Sequence, residues 1–356
     1  MAVSRTDLLR SMNEVYVYET FSSGDPVDNF TYANPLAKWF ISKKEPSPYL
    51  QGIHNEKIQL TGDSTDDWYR GDDTQSYRQK DPPVIGRFQF YNARKGFTVN
   101  MEDLANAGIQ VTESGESTVT KAEKNAIVNL IQYETKKMKD GIRMQMDLAL
   151  HGVQAEGGTI APGLGSFVPI TPAGNTIGGI SETTYSDWAN YVDTGITSST
   201  AGATTEALRQ AVRNVMKRGR GLRPEAFFCG SKFYDAYATD AGATINRQLI
   251  INAKGGTGMD AAVTALNYDG IPLIYDPILD YMQGSATYTD ATNPWDKRCY
   301  GLTTQALHFR PHATRWMQSY QPEPTPDRPE TLYWGMRTSF GLTVSQLNAL
   351  AVLTIA

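Results

Sequence analysis

Cysteine is nearly missing from this chain. Two in 356 residues, Cys229 and Cys299, far apart in sequence, argue against a disulfide framework and fit a reducing compartment. Long apolar runs are missing too. Nothing approaches the ~20 residues that a membrane span needs, and the start, MAVSRTDLLRSMNEVYVYE, lacks the apolar core of a signal peptide. The expectation is a protein made in the cytosol, with no membrane partner. Positive charge is in short supply, 33 Lys and Arg against 38 Asp and Glu, which removes any global signal for nucleic-acid binding. No internal repeat is visible.

Catalytic signatures are absent as well. The four histidines are His54, His151, His308 and His312. His308 and His312 have the spacing of a helical metal pair, but Arg310-Pro311 breaks that helix, and no HExxH pattern occurs. There is no Gly-x-Ser-x-Gly elbow and no CxxC. The run Lys254-Gly255-Gly256-Thr257-Gly258 puts lysine before the glycines, the reverse of a phosphate-binding loop. The acids from Asp63 to Asp73 lack EF-hand spacing. The sequence therefore predicts no catalytic residue, no cofactor, no metal and no enzyme.

What is present is organised around residues 120–152. Thr120 and Glu123 fit a capping box at one end, and His151-Gly152 supplies a polar last residue and a C-terminal glycine at the other. Ile127, Ile131, Met138, Ile142, Met146 and Ala149 recur at helical spacing, interrupted at Glu134 and Thr135. The pairs Glu134–Lys137, Lys136–Asp140 and Arg143–Asp147 read as an exposed, charge-laced face. Such a helix would run roughly 45 Å. The gap at Glu134 and Thr135, and Gly141, which costs about 1 kcal/mol against alanine in a helix interior, mark two places where it bends or faces a neighbour.

Residues 1 to about 54 hold a short helical stretch, then Gly24, Pro26, Pro35, Pro46 and Pro48, yet keep Trp39, Phe40 and other apolar residues. That is either an extended arm seeking a partner or one folding onto its own core. Residues 56–98 read as a long two-stranded excursion with a polar tip. Its charges, among them Arg70, Asp72, Asp73 and Arg78, either dock on neighbours or are simply solvated. After a glycine- and threonine-rich passage comes a helix from Thr205 with an apolar face and a basic one of Arg209, Arg213 and Lys217, stopped by Gly219. Pro224 to Cys229 reads as a buried strand, Ser231 as a helix cap, Asp269-Gly270 as a hairpin turn and Arg298 to Leu302 as another strand. Residues 321–330, QPEPTPDRPE, read as a proline-rich connector, followed by terminal strands.

In this order, with Ile177-Gly178-Gly179-Ile180 and Thr184-Tyr185-Ser186-Asp187-Trp188-Ala189-Asn190-Tyr191 after the long helix, the chain resembles the major capsid proteins of tailed double-stranded DNA phages, the Hong Kong phage-type fold. The run from Pro224 through Tyr237, the hairpin at 266–276 and the ending from Tyr333 to Ser345 carry the likeness further. It implies an α+β fold with an N-terminal arm at 1–55, an extended loop at 56–98, a peripheral domain at 99–155 with its spine helix, an axial domain at 156–305, and a return to the peripheral domain with closing strands at 306–356. It implies a homo-oligomer of hexamers and pentamers in the capsid of a virion assembled in host cytoplasm. A separate scaffolding protein, a portal, a decoration protein and non-specifically held DNA are the partners it suggests. Trp39, Phe40, Trp68, Tyr69, Arg70, Asp72, Asp73, Arg78 and Phe90 are then the candidate inter-subunit contacts, because aromatics dominate interface energetics. The spine would carry Ile127, Ile131, Met138, Gly141, Ile142 and Met146. An encapsulin-like compartment shell is the alternative, and a two-domain α/β enzyme the more distant one.

Overall fold

The computed structural model describes residues 34–46, 52–60, 70–72, 82–100, 121–240, 266–319, 323–325 and 328–356. Two compact units share the chain. Residues 1–32, 92–146 and 314–339 form the first, and 33–91, 147–313 and 340–356 the second.

Helix α1, Pro35–Ser42, opens the second unit, with proline at the start of the helix, where its fixed φ is an advantage. Leu36, Ala37 and Phe40 are buried. The Trp39 ring meets Phe40 and Phe228 edge-on, at 5.0 and 5.5 Å between centroids. This stretch of the arm folds onto its own chain. Phe40, 1% exposed and 6.0 Å from Phe309, is thus a core residue and is withdrawn as an inter-subunit contact.

Strands β1 (Ile53–Ile58) and β2 (Val84–Gln89) pair antiparallel from Ile53↔Gln89 to Ile58↔Val84, the base of the expected hairpin. Period-2 burial turns His54, Ile58 and Phe88 inward. Strand β3, Tyr91–Asn100, follows. Helix α2 runs Lys121–His151, within a residue of the span expected from the sequence. Its buried stripe is Met138, Ile142, Met146 and Leu150, with Ala149 half-buried. Glu134 does reach Lys137 at 4.0 Å, but Arg143 pairs with Asp140 at 3.0 Å and not with Asp147, which is completely buried. Gly141 lies under Lys95: a Cβ built there would stand 1.9 Å from the Lys95 Nζ. The Thr120 cap and the side chains of Ile127 and Ile131 lie outside the described residues.

After α2 come a single turn, α3 (Leu164–Phe167), and a small hairpin of β4 (Thr176–Ile177) and β5 (Ile180–Ser181). Its turn is Gly178-Gly179, with φ of 64° and 79°. A left-handed pair of that kind matches the twist of a two-residue hairpin. The second unit then builds a six-stranded sheet from β6 (Tyr191–Ile196), helix α4 (Ala203–Arg218), β7 (Ala226–Cys229), α5 (Ser231–Thr239), β8 (Asn267–Tyr268), β9 (Ile271–Tyr275), α6 (Pro277–Gly284) and β10 (Arg298–Leu302). The sixth strand comes from the far end of the chain. The helix α5 begins one residue earlier than the sequence suggested, because Gly230 and not Ser231 stands at the cap. The Asp269-Gly270 turn is as expected, with both residues at positive φ.

Strand β11, Leu307–Pro311, pairs with the C-terminal part of β14, Arg328–Val344, from Leu307↔Val344 to Pro311↔Phe340, all in the second unit. In the first unit, β12 (Gln318–Ser319) and β13 (Glu323–Thr325) pair with the earlier residues of β14. Of the expected connector at 321–330, residues 323–325 and 328–330 are strand, with Pro324 in the short β13, a setting that tolerates proline. Strand β15, Ala351–Ile355, completes the sheet in the order β6-β15-β10-β7-β9-β8. It runs parallel to β6 and antiparallel to β10. Every residue of β7, β10 and β15 is buried, which is why AFFC and AVLTI are continuous apolar or small runs with no alternation. The expected return at 306–356 is divided: 314–339 belongs to the first unit and 340–356 to the second. Residues 351–355 are held in the second unit by β15, whose apolar run is buried between β6 and β10.

Candidate functional site

The chemistry-bearing residues of the second unit gather in two places. The first is the last turn of α2. Asp147 and His151, four apart, share a face of the helix and meet Asp276, the N-cap of α6; all three side chains are 0% exposed. The Ala37 backbone N–H of α1 donates to Asp147 Oδ1 at 3.0 Å, and the Ile278 N–H donates to Asp276 Oδ1 at 3.1 Å. His151 Nδ1 is 2.8 Å from the Asp147 carbonyl oxygen, which accepts only, so Nδ1 carries the proton. His151 Nε2 then faces Asp276 Oδ2 at 3.0 Å. Burial alone would push the His151 ring down, but the charges of Asp276 and then Asp147 outweigh it and raise it to about 9. Burial pushes Asp147 up to about 7 against the pull of His151. No arginine or lysine is among the groups that shift either one.

The second place is the base of the hairpin. Glu56 on β1 sits 2.9 Å from His54 and 3.3 Å from Arg310 on β11, and accepts from the Thr343 hydroxyl of β14 at 3.3 Å. Arg310 reaches Glu45 as well, at 2.6 Å, and the Glu45 N–H donates to the Phe309 carbonyl. Burial pushes the Glu56 carboxyl up, but His54, Arg310 and His308 together hold it below the usual range. Burial and the Arg310 charge push His308 down. On the other face of the hairpin, Arg87 N–H donates to the Gly178 carbonyl, and the Gly178 N–H to Glu156. The base of the loop is thus riveted to the β4–β5 turn, β11 and β14 by charge and backbone.

Of the expected contact residues, Trp39 is half-buried against Phe40 and Phe228, and Phe90 is half-buried with its ring 5.5 Å from that of His312. Arg70 and Asp72 are exposed. Trp68, Tyr69, Asp73 and Arg78 lie outside the described residues. His308 lies on β11 and His312 just beyond it, so the four-residue spacing falls on a strand and not on a helix. The buried cluster was missed because His151 reads as a helix terminus and Asp147 as the partner of Arg143. The readable signal was their spacing of four beside the Ile142–Met146–Leu150 stripe. Both cysteines are free and buried, opposite one another across β7 and β10. Among the described residues no helix is long and apolar enough to cross a membrane.

No protein-family model matches the chain, and no curated protein matches it in sequence. Solved structures do match in shape. The capsid asymmetric unit of cyanophage A-1(L) is similar at 13% identity and a TM-score of 0.59, covering 93% of this chain and 94% of that one. The capsid of Myoviridae phage XM1 is similar at 10% identity and a TM-score of 0.52, covering 94% and 95%. The SrpI encapsulin complex of Synechococcus elongatus PCC 7942 is similar at 10% identity and a TM-score of 0.51, covering 94% of each chain. With nearly its whole length laid out as in these shells, the chain has the Hong Kong phage-type fold, the fold of tailed-phage major capsid proteins.

Proposed function

We propose that this chain is the major capsid subunit of a tailed double-stranded DNA phage, closing in hexamers and pentamers into an icosahedral head. The observation that carries the reading is the end-to-end likeness to the capsid of cyanophage A-1(L), 93% of one chain on 94% of the other. A structural role with no catalysis fits the same likeness. The hairpin base, fixed by Arg310 and Glu56, is a firm root for a loop that reaches neighbouring copies. We assign Trp68, Tyr69, Arg70, Asp72, Asp73 and Arg78 to those contacts, with Trp39 and Phe90 nearer the root. The division into arm, extended loop, peripheral and axial domains is carried over on the same basis. A scaffolding protein and a portal would direct closure, a decoration protein would bind outside, and packaged DNA would meet the inner face through its phosphates without base reading.

The test is electron microscopy of the chain expressed with its scaffolding protein. Closed shells are expected, and deletion of residues 62–80 should leave soluble subunits that do not close. Small monodisperse species at high concentration with scaffold present would overturn the reading. The encapsulin likeness supplies the second reading, and cargo decides it: shells filled with DNA are a phage head, and shells loaded with an enzyme are a compartment.

A further inference from the structure

We propose that Asp147, His151 and Asp276 form an internal site for a divalent transition cation, Zn²⁺ by donor chemistry. Each of the three has one polar atom fixed by backbone and one left over. Asp147 Oδ1 accepts from Ala37, His151 Nδ1–H donates to the Asp147 carbonyl, and Asp276 Oδ1 accepts from Ile278. Of the remaining atoms, all buried, Asp147 Oδ2 has no hydrogen-bonding partner, while His151 Nε2 and Asp276 Oδ2 face each other at 3.0 Å. That division is the one metal ligands show, with the outer atom oriented by a hydrogen bond and the inner atom free to bind.

The ligand atoms of the three residues lie within 4.8 Å of one another. Atoms bound at about 2.1 Å to a tetrahedral ion stand roughly 3.4 Å apart, so small rotations close the set. Charge points the same way. Two carboxylates and one imidazole share a pocket at 0% exposure. No lysine or arginine is among the groups acting on Asp147 or His151. Bringing such a pair out of water unbalanced is costly. His151 Nε2 and Asp276 Oδ2 stand 3.0 Å apart, a spacing that either a proton on Nε2 or a bound metal ion bridges. One imidazole and two carboxylates suit Zn²⁺, whereas Mg²⁺ and Ca²⁺ favour oxygen ligands and Mg²⁺ keeps several waters. The ion would tie together three segments of the second unit: the end of α2, the start of α6 and, through Ala37, the arm helix α1.

The experiment uses the full chain, purified without a histidine tag or chelator, and measures metal content by mass spectrometry. About one equivalent of Zn²⁺ per chain is expected. Refolding with a zinc chelator should lower the unfolding midpoint, and Zn²⁺ should restore it. Co²⁺ in its place should show tetrahedral ligand-field absorption. Asp276→Asn keeps the acceptor for Ile278 and should reduce bound metal at least about tenfold. Should that variant fail to fold, the wild-type metal content and the Co²⁺ spectrum decide alone. Metal-free protein whose midpoint ignores Zn²⁺, with protons on both His151 nitrogens by ¹⁵N resonance, overturns the proposal, because a proton is then the cation. Shells that close without metal would leave the capsid reading intact while removing the ion.

Discussion

Glu56 at the base of the hairpin and Asp147 at the end of α2 are both drawn out of water and both face histidine, but only Glu56 has an arginine. Arg310 carries a permanent charge, so that cluster is balanced at any ordinary pH, and Glu56 stays below its usual range. The Asp147 cluster has no fixed cation acting on Asp147 or His151, and its carboxylate is pushed up. The difference shows what a buried carboxylate needs. A neighbour with constant charge makes it a rivet; a neighbour whose charge depends on a bound proton or ion makes it conditional.

The largest way to break that comparison is His151→Ala. It leaves two buried carboxylates facing each other and should lower unfolding stability by about 3–5 kcal/mol, read from urea unfolding followed by tryptophan fluorescence. Arg310→Ala, at a site where the side chain is 14% exposed, should cost about 1–3 kcal/mol. Equal losses at the two positions would erase the distinction. Next in size is the pH response. Because the folded Glu56 pKa lies below its ordinary 4.5, its contribution is full above that value and is lost as pH falls through the lower folded value. Glu56→Gln should therefore flatten the acid limb of the stability profile; an unchanged limb would remove Glu56 as its source. Gly141→Ala should act oppositely and more weakly, raising stability by about 0.5–1 kcal/mol. The obstructing atoms are the flexible end of Lys95, which can swing away. A destabilised variant would mean that Lys95 is held there. Smallest is Arg209→Ala on α4, whose partner Glu206 is exposed: the unfolding midpoint should not move measurably.

Much of the fold was legible because its determinants are local. The α2 stripe, the Asp269-Gly270 turn, the stop at Gly219 and the apolar run ending at Cys229 each carry their signal within a few residues. The misreadings came where a distant partner decides. Glu323-Pro324-Thr325 looks like part of a linker until β14 is there to pair with it. Phe40 looks like a sticky aromatic until Phe309 covers it. Asp147 looks like a surface acid because the rule for residues four apart says nothing about Asp276, which arrives much later in the chain. The candidate site was the least legible part for that reason.

The place of β15 has a consequence for timing. Tyr191 on β6 pairs with Ala351, so β6 has no place in the six-stranded sheet until residues 351–355 have left the ribosome. A domain closed by so distant a strand folds slowly, and not before that strand has been made. That late strand acts as a checkpoint: a chain stopped before it cannot join β6 to the rest of its sheet.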